Sequence, residues 1–142
     1  MSKERQSKLT FRFVIASPRQ EDLIDLTILL AGSAWAPVHV RTCGDAGGLI
    51  RTLRVPIVLC DLGLEGRPWQ QSLRRLLATQ PTASVVFLSN AQDRVRLCNV
   101  VRSGGFGLLA RPFERERVFN SLLSAYCRHV LYRLSLPVAR TA

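Results

Sequence analysis

No stretch of this chain reaches the roughly 18 uninterrupted apolar residues that a membrane span requires. Met1-Ser2-Lys3-Glu4-Arg5 leads into polar sequence instead of a signal-peptide core. A cytoplasmic protein is therefore expected. Paired cysteines are missing too, since Cys43, Cys60, Cys98 and Cys127 stand far apart, with no C-x-x-C and no histidine at zinc-ligand spacing. That excludes a zinc module and a disulfide framework, and predicts free, buried thiols. His39 and His129 have no carboxylate neighbour in sequence and read as structural or solvated. Acids are scarce: 10 Asp and Glu stand against 20 Lys and Arg, a net charge of +10 that is almost wholly arginine. Such a field favours anionic partners. The arginines are spread along the chain and not clustered in a stripe with interleaved aromatics, which argues against direct nucleic-acid binding. With no Ser-His-Asp grouping and no glycine-rich nucleotide loop, an independent enzyme is not expected.

What the chain does have is core material. Its 142 residues are 47% hydrophobic, enough for one domain with a continuous interior. Residues 11–134 read as that domain, with tails at 1–10 and 135–142. Phe11 to Ala16 is a short apolar run stopped by Ser17-Pro18 and reads as a buried strand. Leu23, Leu26, Leu29 and Leu30 recur at helical spacing, with Glu21 and Asp22 in the first turn and Gly32 at the end. A strand over 37–42, a weak helix over 45–54 and an unbroken apolar strand from Pro56 to Cys60 follow, the last ending on Asp61. A helix over 69–79 and a strand over 83–88 come next. Asn90 is placed to cap a further helix, with Asp93 in its first turn. Phe106 to Ala110 is the fifth strand, and a last helix runs from the turn at Arg111-Pro112-Phe113 to somewhere before Pro137. Strict alternation of this kind predicts a (βα)₅ chain with a parallel sheet between two helical layers. In such sheets the working site lies beyond the carboxyl ends of the strands.

Those ends carry Ser17-Pro18, Asp61, Ser89 and Arg111-Pro112. In this pattern the chain resembles the bacterial response-regulator receiver domain of two-component phosphorelays. The segment Gly104-Gly105-Phe106-Gly107-Leu108-Leu109-Ala110-Arg111-Pro112-Phe113 is similar to that family's Gly-Ala-x-x-Tyr-Leu-x-Lys-Pro-Phe signature. The spacings also suit the family: 44 residues from Ser17 to Asp61, 28 from Asp61 to Ser89 and 22 from Ser89 to Arg111. The resemblance covers roughly residues 10–132. It implies a flavodoxin-like fold of the chemotaxis-regulator type, with strand order 2-1-3-4-5. It also implies Asp61 as the phospho-acceptor position, Ser89 and Arg111 as phosphoryl-contact positions, and a cis bond before Pro112.

The departures set the expected chemistry. A typical receiver places two acids after the first strand to hold Mg²⁺ with the acceptor. Here Ser17 and Pro18 stand in their place, so Mg²⁺ binding is expected to be weak or absent. Glu21, Asp22 and Glu65 are the acids that could substitute. Arg111 replaces the family's lysine, and its planar fork favours a direct ion pair with Asp61 that shields the carboxylate. Ser89 reads either as a phosphoryl reporter or as a helix-entry hydroxyl bonded to local backbone. Leu108 replaces the switch aromatic. Together these changes suggest a pseudo-receiver that works by contact. Its expected partner is a histidine kinase or a downstream signalling protein. The face made by the fourth helix, fifth strand and fifth helix would dock it, because nine arginines and three acids lie from residue 85 onward. Self-association is another use open to that surface. With only about ten residues after the last helix, a stand-alone module is expected. Two alternatives stay open: a working phospho-acceptor charged at Asp61 by a histidine kinase, and a basic nucleic-acid adaptor.

Overall fold

The computed structural model describes residues 9–135. Five strands and five helices alternate along it. β1 is Phe11–Ala16, α1 Gln20–Leu29, β2 Trp35–Val40, α2 Cys43–Ile50, β3 Ile57–Asp61, α3 Trp69–Thr79, β4 Ser84–Ser89, α4 Arg94–Arg102, β5 Gly107–Ala110 and α5 Arg115–Ser135. The strands are all parallel, in the order β2-β1-β3-β4-β5. The expected flavodoxin-like architecture is therefore the one observed. The tails at 1–10 and 135–142 lie outside the described residues except for Leu9, Thr10 and Ser135. Among the described residues no helix is long and apolar enough to cross a membrane.

The unbroken apolar runs follow from helices covering both sheet faces, because alternate strand side chains enter different cores. Val14, Ala16, Val58, Cys60, Val85 and Phe87 point to the side packed with Cys43, Ala46 and Ile50 of α2, Leu73 and Leu76 of α3 and Val100 of α4. Phe13, Ile15, Ile57, Leu59, Val86 and Leu88 point to the side packed with Leu26 of α1 and Val118, Leu122 and Ala125 of α5. Each such side chain, taken fully out of water, contributes about 1.5–3 kcal/mol before entropy is counted.

Four expectations are corrected in detail. β2 begins at Trp35 and not at Pro37, because Trp35 pairs in register with Phe11 and packs against its ring in a tilted contact, centroids 5.3 Å apart. Pro37 sits inside β2 at no cost to an inner ladder, since β2 is an edge strand. α2 runs from Cys43 to Ile50, not from Asp45 to Arg54; it starts early because Thr42 Oγ1 accepts from Asp45 N at 3.0 Å. α4 is capped by Asp93, whose Oδ1 accepts from Arg96 N at 3.0 Å, and not by Asn90. Finally, only Cys43 and Cys60 are buried; Cys98 and Cys127 are exposed, and all four are free. Burial raises the pKa of Cys43 and of Cys60, leaving both as neutral core thiols.

Candidate functional site: an arginine between two aspartates

The sheet ladder extends one residue past several strands. Ser17 N donates to Val40 O at 3.0 Å, Leu62 N to Leu88 O at 3.1 Å and Arg111 N to Ser89 O at 2.7 Å. These bonds fix the backbone directions of Ser17, Asp61 and Arg111 at the carboxyl end of the sheet. Arg111 enters from the end of β5 and reaches across β3 toward β1. The peptide bond between it and Pro112 is cis, as expected.

The guanidinium meets two carboxylates. Arg111 Nε donates to Asp22 Oδ1 at 2.8 Å, and Nη2 donates to Asp22 Oδ2 at 2.7 Å. The same Nη2 donates to Asp61 Oδ1 at 2.6 Å, and Nη1 donates to Asn90 Oδ1 at 3.1 Å. A planar fork suits this arrangement, because it grips one carboxylate bidentately and still has donors for others. The expected Asp61–Arg111 pair is present, and Asp22 joins it. Side-chain exposure is 11% for Arg111, 1% for Asp22 and 15% for Asp61.

Ser17 explains why an aspartate can be buried here. Its hydroxyl donates to Asp22 Oδ2 at 2.6 Å and accepts from Arg19 N at 3.0 Å. The Ser17 carbonyl accepts from His39 Nε2 at 2.9 Å, which gives His39 its structural role. Asp22 thus accepts three short bonds, and the Arg19 guanidinium lies 4.0 Å away. Burial pushes the Asp22 carboxyl up, but hydrogen bonds from Arg111 and Ser17 and the nearby arginine charges outweigh it, holding the group below the usual carboxylate range. Burial also pulls Arg111 down, and its bonds to Asp22 and Asp61 more than reverse that.

The sign of the resulting pH dependence follows. A carboxyl whose folded pKa is depressed stabilises the fold above its unfolded value, roughly 3.9, and loses that contribution as pH falls toward the folded value. Urea midpoints are expected to be flat across neutral pH and to fall below about pH 4. A D22N variant should give a flatter acid limb.

Of the other acids considered, Glu21 is exposed on α1. Glu65 is turned away from the site: its Oε1 accepts from Cys43 N at 2.9 Å, which caps α2. Glu65 reads from sequence as a loop acid. Its place in a tight turn at φ 58° is what aims the carboxylate at that helix. Pro18 is exposed and offers its carbonyl to Arg41 Nη1 at 2.8 Å. Ser89 donates to Ala91 O at 2.9 Å and accepts from Ala91 N at 3.2 Å, matching the local reading of that hydroxyl. Leu108 is half-buried against the α2–α4 core.

As arranged, these residues do not fit Mg²⁺. The ion demands near-octahedral oxygen ligands at about 2.0–2.1 Å. Nη2 of Arg111 instead lies between the facing oxygens of Asp22 and Asp61. Asp61 Oδ2 is occupied as well, accepting from Gly63 N at 2.9 Å.

No family model and no curated protein matches the chain. Solved structures do. The signal receiver domain of an HD domain-containing protein from Pseudomonas fluorescens Pf-5 superposes with a TM-score of 0.76 at 17% identity, covering 92% of this chain and 97% of that one. The receiver domain of a putative Luxo repressor protein from Vibrio parahaemolyticus gives 0.76 at 18% identity, covering 92% and 100%. A two-component response regulator from Clostridium difficile gives 0.70 at 15% identity, covering 84% and 98%. Likeness at such low identity speaks to architecture: the chain has the fold of a response-regulator receiver domain.

Proposed function

We propose that this chain is a receiver-type module of a two-component pathway that signals by protein contact, with its acceptor pocket closed and with no catalysis of its own. One observation carries the reading: Arg111 Nη2 lies 2.7 Å from Asp22 and 2.6 Å from Asp61, between the two carboxylates that would otherwise face a cation. Mg²⁺ then binds weakly or not at all. Phosphoryl transfer to a carboxylate needs the incoming charge neutralised. Arg111 is already engaged by both carboxylates, and Arg19 lies 4.0 Å from Asp22, so these charges are spent on the aspartates and not on an approaching phosphate. With Ser89 bonded to Ala91, the reporter hydroxyl is engaged elsewhere.

The working surface in this reading is α4, β5 and the start of α5. Val95, Leu97 and Val101 are exposed on α4 among Arg94 and Arg102. Beside them runs a groove of about 520 Å³ lined by Trp69, Asp93, Arg96, Asn99 and Arg102. Apolar centres ringed by arginine suit an acidic partner. A second reading, a working phospho-acceptor, draws support from Asp61 itself, retained at the end of β3 and 15% exposed. Incubation with acetyl phosphate in millimolar magnesium separates the two. The intact mass is expected to stay unchanged, whereas a stoichiometric phosphoryl adduct on Asp61 would establish the second reading.

A further inference from the structure

α5 is longer than the domain needs. Its 21 residues extend about 31 Å, whereas a six-residue strand of this sheet spans about 20 Å. Its core contacts come early, from Val118, Leu122 and Ala125, and residues 131–135 are all exposed. The outward side of the same helix is apolar. Leu123 is 56% exposed and Leu134 75%, with Cys127 exposed between them. Asn120, Leu123, Cys127, Val130 and Leu134 follow one another at intervals of three, four, three and four residues. That is the a/d spacing by which one helix packs along another, with Asn120, Cys127 and Leu134 at a and Leu123 and Val130 at d. Glu116, one turn earlier, ends the stripe.

Charge decides what covers it. The chain carries a net +10, so two copies repel except where a surface is free of arginine. Between residues 120 and 134 the arginines are drawn off the stripe. Arg128 packs over the Phe106 ring at 5.4 Å, while Arg133, with Arg54, lines a groove that borders the stripe only at Val130 and Leu134, its C-terminal end. An acidic partner would seek those arginines, whereas an uncharged a/d seam complements itself.

We propose that a second copy of this chain covers the stripe, the two α5 helices packing in parallel from Asn120 to Leu134. Parallel alignment sets Asn120 against Asn120 of the second copy, where the two amides pair. An antiparallel one buries each amide against leucine, leaving it unpaired. The same alignment brings the two Cys127 residues together at the centre of the seam. The seam is shorter than a standard interface of ~800 Å² per partner, so dissociation in the micromolar range is expected. None of this depends on the chemistry of the Asp61 pocket.

The test uses the full chain. Sedimentation equilibrium over micromolar to several-hundred-micromolar protein is expected to show the mass doubling. In a C98S background, a mild thiol oxidant should give a disulfide-linked dimer through Cys127. The double variant L123E/L134E should lose both behaviours with an unchanged circular dichroism spectrum and urea midpoint, because both side chains are exposed in the fold. A chain that stays monomeric leaves the stripe to some other helix and overturns the proposal. A dimer that survives L123E/L134E, or that in the C98S background forms no Cys127 crosslink, does the same.

Discussion

Replacing Asp22 by asparagine lowers the stability of the fold by about 3 kcal/mol, the lower end of what removing one partner of a buried ion pair costs. The variant leaves Arg111 with Asp61 alone and places an amide where the guanidinium donates. The cost stays at the lower end because Asp61 still meets Nη2 at 2.6 Å. At a urea slope of roughly 1.5 kcal/mol/M the midpoint falls by about 2 M. D61N is expected to cost about 1 kcal/mol, the scale of one hydrogen bond, because the bidentate pair to Asp22 survives it. The order of the two effects is the informative part. In a pocket built to hold a metal, carboxylates repel one another in the ion's absence, and removing either one stabilises the fold. Here both removals destabilise it, and Asp22 matters more.

The second large effect is a gain. The double variant S17D/R111K restores an acid at the end of β1 and exchanges the fork for a point charge, freeing Asp22 and Asp61 from the bidentate grip. Three carboxylates then face one ammonium, an arrangement that calls for a divalent cation. Stability should become magnesium-dependent: with a Kd of about 1 mM, 10 mM Mg²⁺ adds about 1.4 kcal/mol. The natural chain should show no such increment. Urea titrations of both proteins with and without magnesium check this. Equal responses would mean that Arg111 is not what keeps the ion out.

The layered fold could be read from the sequence because five apolar runs alternate with helical spacing, and runs buried on both faces leave few alternatives. The edges were harder, since Trp35 joins β2 through contact with Phe11, a partner 24 positions away that local spacing does not reveal. The Asp61–Arg111 pair was legible from the strand-end positions and the geometry of a guanidinium. Asp22 is one of three acids that could stand in for the missing pair, and its first-turn position on a helix suits a dipole role equally well. One further signal was present. Asp22 and Leu26 on the buried face of α1 and Leu30 just past its end lie four residues apart, and an acid in line with two core leucines needs a buried cation. Asn90 fitted the pattern of a cap, yet its amide serves Arg111. That choice depends on where the end of β5 falls in space, which is a tertiary fact.

The central claim is that a guanidinium does at this site what a metal ion would otherwise do. Titrating the natural chain with Mg²⁺, with and without beryllofluoride as a phosphoryl mimic, tests it most directly. The fluorescence of Trp69 and Trp35 and the amide resonances of Asp61, Leu62 and Gly63 would report binding. The account predicts no saturable change at millimolar magnesium. Saturable binding in that range, with the Asp61 resonances shifting as the ion enters, would contradict it.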